Sequence, residues 1–126
     1  MSISHQITET WGAGSNQVAV LTTKTGSVEQ NSSLTLGTVT NQLVDLQWAS
    51  AKLLAVFIKT DLDCTLKMNS SGSPTDTISL TSAVPFVWVK GSGVPYPFTG
   101  TAGAITAGYI TTTAATNVEI RVLLDL

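Results

Sequence analysis

Asn117-Val118-Glu119-Ile120-Arg121-Val122-Leu123-Leu124-Asp125 alternates apolar and polar side chains with a period of two. Val118, Ile120, Val122 and Leu124 recur against Asn117, Glu119, Arg121 and Asp125, the signature of a strand with one covered face. The same period appears in Val44, Leu46 and Trp48 against Asp45 and Gln47, and in Cys64, Leu66 and Met68 against Thr65, Lys67 and Asn69. Leu34 and Leu36 alternate with Ser33 and Thr35 in a strand expected to continue past Gly37, and Val18 and Val20 share a face of a strand over residues 17–23. Leu53 to Ile58 is a six-residue apolar run ending Val-Phe-Ile, a length and composition that favour a strand buried on both faces over a short helix. Ile78 and Leu80 mark a further strand, and Ile105, Tyr109 and Ile110 a short one broken by Gly108. Val84, Phe86 and Trp88 form a strand that starts at or follows a sheet edge, because Pro85 lacks a ladder donor.

Between these runs lie turn residues: Thr25-Gly26, Asn69-Ser70-Ser71-Gly72-Ser73-Pro74, and residues 91–99 with two glycines and two prolines. Eight or nine short strands with no intervening helix predict an all-β fold, an antiparallel β-sandwich that could be wound as a jelly roll. Residues 1–16 read as an extended N-terminal arm ending in a flexible break, Gly12-Ala13-Gly14-Ser15-Asn16, and residues 17–126 as a single sandwich domain.

Composition excludes several function classes. The chain has 126 residues, is 43% hydrophobic and has a formal charge of -2. That is enough apolar content for a core, and it lacks the excess positive charge of a nucleic-acid binder. A membrane helix needs roughly 20 apolar residues, far beyond the Leu53–Ile58 run, so no membrane association is expected. The start, Met1-Ser2-Ile3-Ser4-His5-Gln6, lacks the basic and apolar segments of a secretory signal, which implies synthesis in a cytoplasm. Only 11% of residues are charged, whereas Thr (20) and Ser (13) abound. An average soluble domain carries about 25% charged residues, so the surface suits either a protein packed against other protein or a hydroxyl-rich β domain.

No catalytic group is expected. His5 is the sole histidine and lies in the arm, away from any carboxylate cluster. Asp61 and Asp63 share one side of an extended segment, with Asn69 and Asp76 as further oxygens, but their spacing matches no calcium loop and a solvated edge is the simpler reading. Cys64, the only cysteine, falls on an apolar face with no basic neighbour to activate it, so it reads as core. Gly91-Ser92-Gly93 lacks the spacing of a nucleophile elbow, and no phosphate-binding Gly-Lys-Ser/Thr loop occurs. No metal or other cofactor is therefore expected. Trp48, Phe57, Phe86 and Trp88 sit in apolar strand patterns and are assigned to the core. Trp11 in the arm, and Tyr96 and Phe98 in the Pro-rich loop, could anchor a protein partner, stack on sugar rings or fold back over the domain.

From about Leu53 onward the chain resembles small virion structural proteins of tailed bacteriophages. The resemblance runs through an apolar strand (Leu54, Val56, Phe57) and a polar strand ending Asn-Ser-Ser (Thr65, Leu66, Lys67, Asn69, Ser70, Ser71). It continues through Ile78-Ser79-Leu80, a Trp-bearing strand (Pro85, Trp88), a Gly-rich loop with Pro-Phe (Gly93, Pro97, Phe98) and the closing strand Val118–Leu123. It implies a β-sandwich on the capsid surface of a virion, a decoration or cement protein that binds across subunits of the major capsid protein as a symmetric homo-oligomer, with a trimer favoured. The contact residues expected on that reading are Ile3, Ile7 and Trp11 of the arm and Tyr96 and Phe98 of the loop. A glycan-binding module of a fibre or adhesin, and a tail or head-completion component, are the alternatives.

Overall fold

The structure is a computed structural model that describes residues 2–12, 18–99 and 103–126. Ten strands are present among the described residues: β1 (Ile3–Trp11), β2 (Val18–Gly26), β3 (Val28–Leu36), β4 (Gln42–Val44), β5 (Leu53–Thr60), β6 (Cys64–Met68), β7 (Asp76–Leu80), β8 (Phe86–Val89), β9 (Gly108–Thr111) and β10 (Thr116–Leu124). Every pairing is antiparallel. One four-stranded sheet has the order β3-β10-β5-β8 and the other β4-β9-β6-β7, while β1 and β2 form a separate hairpin. The protein is thus an all-β antiparallel sandwich carrying a hairpin.

The pairings between strands are nested. β6 pairs with β7, β5 with β8, β4 with β9 and β3 with β10, so β3–β6 and β7–β10 run as two arms of one long folded ribbon. Along the chain this ribbon passes back and forth between the two sheets.

β10 is central, hydrogen-bonded to β3 on one side and β5 on the other. Its Val118, Ile120, Val122 and Leu124 all point into the core, where they meet Val56 and Ile58 of β5 and Leu66, Met68 and Ile110 of the opposite sheet. Each such fully buried aliphatic contributes about 1.5–3 kcal/mol relative to exposure. β6 supplies Cys64, Leu66 and Met68 on its inward face, as its alternation requires. Val44, Leu46 and Trp48 are buried together although only residues 42–44 are laddered; Trp48 continues the alternation through an isolated bridge to Ile105. Gly108 opens β9 because a Cβ there would lie 2.9 Å from Leu46 Cδ1 and 3.3 Å from Leu66 Cδ1. β8 begins directly after Pro85 and lies at a sheet edge.

Several sequence expectations need correction. β3 ends at Leu36 rather than passing Gly37. Residues 53–60 form a strand, but Phe57 is not core: its neighbours Val56 and Ile58 turn inward, so the period of two puts Phe57 on the outer face, 36% exposed. Thr25-Gly26 is not a turn; β2 runs through it and the chain bends at Ser27 into β3. The segment 3–11, expected as an arm, is a regular strand paired residue for residue with β2. The break expected over Gly12–Asn16 falls mainly on residues 13–16, which lie outside the described residues.

Candidate functional site

Two surface features collect the residues singled out from sequence. The first is the seat of the hairpin. The β2 strand leaves the sandwich at Gly26, which is buried against β10: a Cβ there would lie 2.5 Å from the Leu124 carbonyl oxygen and 3.0 Å from Leu123 Cδ1. Ser27 N–H donates to that same Leu124 oxygen at 2.9 Å. From this root the hairpin lies over the outer face of the β3-β10-β5-β8 sheet. A cleft of about 340 Å³ remains between them, with Ile7 on the hairpin side and Ala55, Phe57, Val87, Arg121 and Leu123 on the sheet side. The cover explains why Leu123 and Ala55 are buried although they point away from the core between the sheets.

Polar contacts pin the rim of this seat. His5 Nε2 meets Glu29 Oε1, and Asn31 Nδ2 donates to Glu29 Oε2 at 2.8 Å. The His5 contact first and the Asn31 bond second hold the Glu29 carboxyl below its ordinary range. On β10, Arg121 Nη2 donates to Glu119 Oε2 at 2.7 Å and Ser33 Oγ donates to the same oxygen at 2.6 Å. The Ser33 bond, followed by Arg121, lowers the Glu119 pKa. These groups are exposed, so the pairs fix position more than they add stability.

Beyond the seat the described part of the hairpin exposes apolar side chains. The side chains of Val18 (63% exposed), Val20 (56%) and Leu21 (57%) stand in solvent. Ile3 and Ile7 are half-buried against the sheet. Trp11 ends β1 opposite Val18 in the backbone register, and the contact expected of its side chain lies outside the described part of the chain.

The second feature is the aromatic loop between β8 and β9. Phe98 is 4% exposed, with its ring edge-on to Trp48 at 5.5 Å and to Tyr96 at 5.4 Å. It is a core side chain, which corrects its assignment as a surface contact: Pro95 and Pro97 steer the loop back over the open end of the sandwich. Tyr96 is half-buried beside Trp88 at 5.5 Å, and its hydroxyl accepts from Trp48 Nε1 at 2.9 Å and donates to the Gly103 carbonyl at 2.6 Å. Burial raises the Tyr96 pKa, partly opposed by the Trp48 bond. Trp88 Nε1 donates to Val94 O at 3.0 Å. A shallow depression of about 480 Å³ over Trp88, Tyr96, Lys90 and Ser50 is the part of this cluster that reaches solvent.

The carboxylates of the β5–β6 turn bind the chain itself. Asp61 accepts from Asn117 N at 2.8 Å and Asn117 Nδ2 at 2.9 Å, bonds that lower its pKa. Asp63 accepts from Ser82 N at 2.7 Å. Asp76 caps Thr99 N from another loop, and Asn69 holds Ala104 O and Thr106 N. Among the described residues no three His, Cys, Asp or Glu side chains converge as metal ligands would. Cys64 is buried, and burial pushes its thiol pKa up, the opposite of activation.

Ile3, Ile7 and Tyr96, expected as partner contacts, are each half-buried within the chain, and sequence reasoning missed Val20 and Leu21 as free apolar side chains. A weak signal was present: Ile3, Ile7 and Trp11 recur every fourth residue, which places them on one face of a strand, and a Gly-rich stretch follows, a sequence compatible with a hairpin. No protein-family model, curated protein or solved structure matches the chain.

Proposed function

We propose that the protein is a non-enzymatic virion structural protein, a capsid decoration or cement protein on the surface of a phage head. It acts as a homo-oligomer, with a trimer favoured, that binds across subunits of the major capsid protein. The observation that carries this reading is the hairpin, which leaves Val18, Val20 and Leu21 in solvent on a domain with few charges. Isolated apolar residues on a surface need no explanation, but Val18 and Val20 share one face of the ribbon beyond its seat, with Leu21 on the other, and a ribbon exposed in this way suits a protein partner. We read the nested pairing of the eight sandwich strands as a jelly roll, an architecture used by capsid and lectin domains, and that reading supports the proposal.

A cement protein works by linkage. It binds the assembled shell and not its separated subunits, so every contact must break before the shell opens. A projecting hairpin reaches across a subunit junction where a compact sandwich does not. Few surface charges mean that such contacts close without desolvating ions.

The test is co-sedimentation of the purified chain with phage heads that lack it. Pelleting with heads, and loss of pelleting when residues 1–26 are removed from a sandwich that still folds, is the expected result. A chain that stays in the supernatant refutes the proposal. The Trp88–Tyr96 depression favours a second reading, a glycan-binding module, because an aromatic face beside Lys90 and Ser50 suits a sugar ring. A glycan array with no hits removes it.

A further inference from the structure

We infer that the free half of the hairpin docks on a second copy of this chain, against the outer sheet face around Phe57. The register places Ile3, Ile7 and Glu9 of β1 directly opposite Gly26, Thr22 and Val20 of β2, and residues directly opposite share a face. In the root half of that face Ile3, Ile7, Thr22, Lys24 and Gly26 are buried or half-buried on the chain's own sheet, while His5 is exposed at the rim and meets Glu29. The distal half, Val20, Val18 and Glu9, is the same face continued into solvent. One face of the ribbon is therefore packed at its root and exposed at its distal end.

The sheet beneath shows the same incompleteness. Phe57 is 36% exposed and Val87 half-buried, and both line the cleft that the chain's own β1 leaves open. Both unused surfaces extend an interface that already forms within the chain, so the chemistry that packs Ile7 over this sheet also packs Val20 over it. Charge agrees. The distal hairpin face carries one charged residue, Glu9, whereas the sheet face around Phe57 carries Lys59 two residues along β5 and, on β10, Arg121 with its ion-pair partner Glu119, which leaves that face one positive charge in excess. Lys59 takes part in neither ion pair among the described residues. A two-stranded ribbon is marginal without a third element to pack on, and a neighbour's sheet supplies one. Knob and seat lie on different surfaces of one chain, so the contact is head-to-tail, and it forms a ring where the rotation between copies closes.

This contact supplies the oligomer of the proposed structural role, yet its test needs no virion, so the two can fail separately. Light scattering on the full chain over a concentration series is expected to give a multiple of 13.2 kDa. Val18→Asp with Val20→Asp is expected to weaken association at least ~10-fold, as loss of central interface anchors does, with the strand signal in circular dichroism unchanged. Chains carrying Val20→Cys, mixed with chains carrying Phe57→Cys and oxidised, are expected to form a disulfide-linked dimer that neither gives alone; the native Cys64 is buried. A wild-type monomer at every concentration overturns the inference, as does an aspartate variant that associates normally or a mixture that does not cross-link. A monomer that pellets with heads through the same valines also overturns it, and gives the hairpin to the capsid protein instead.

Discussion

Replacing Gly26 by alanine tests whether the hairpin is held by its root. The new Cβ would lie 2.5 Å from the Leu124 carbonyl oxygen and 3.0 Å from the Leu123 side chain. Carbon comes no closer to a carbonyl oxygen than about 3.3 Å without cost, so the root must withdraw by roughly 0.8 Å. β10 is held on both sides and cannot yield, so the hairpin moves. The Ser27–Leu124 hydrogen bond, 2.9 Å in the native protein, is stretched past its useful range. Its loss costs about 1 kcal/mol. Freeing Ile3 and Ile7, each half-buried, costs about 1 kcal/mol apiece. The total of about 3 kcal/mol corresponds to roughly a hundredfold in the opening equilibrium. Hydrogen exchange reads this directly: amides of β1 and β2 should lose about two powers of ten in protection, while those of β5 and β10 keep theirs. Unchanged protection in the hairpin, or equal losses in β10, would refute the reasoning.

Other consequences are as direct. Phe98→Ala should destabilise the fold by about 3–5 kcal/mol in urea, because the ring fills the end of the core; a near-zero change would return Phe98 to the surface. Tyr96→Phe removes the acceptor of the Trp48 indole N–H and should cost about 1–3 kcal/mol, with the Trp48 indole proton resonance shifting. Asp61, Glu29 and Glu119 all have folded pKa values below their unfolded ones. Their stabilisation is therefore fully present above the unfolded values near ~4 and is lost as pH falls through the depressed folded values. Asp61→Asn should flatten the acid limb of a stability-against-pH curve, and an unaltered limb would show that the Asn117 bonds do not favour the carboxylate.

Period-two patterns carried most of the architecture because the inward residues of β6, and those of β10 after Thr116, are apolar, while their outward neighbours, Leu123 apart, are polar. What alternation does not reveal is which outer face is covered by something distant in sequence. Phe57 and Leu123 are both apolar and both point outward, yet Leu123 is buried and Phe57 is not, because the root of the hairpin crosses one and leaves the other. The loop aromatics were ambiguous for a related reason. Pro95 and Pro97 exclude regular structure without saying where the loop goes, and it is Phe98 meeting Trp48 that decides. Val18 and Val20 share a strand face, as their spacing requires, but the spacing does not say whether that face is covered, and both are exposed on the hairpin.

The nested pairing also sets an order of events during synthesis. Among the described residues β3, the first strand of the sandwich, ladders with β10 alone, and β10 must insert between β3 and β5 after β4 to β9 have been made. Until then, both strands present open edges on the ribosome. The hairpin needs only neighbours in sequence and forms within about 1–10 μs. Sandwiches of non-local pairings take milliseconds to seconds. The ribbon that carries the exposed valines thus exists before the sheet it rests on, and in that interval chains growing side by side on one message are the nearest surfaces it can meet.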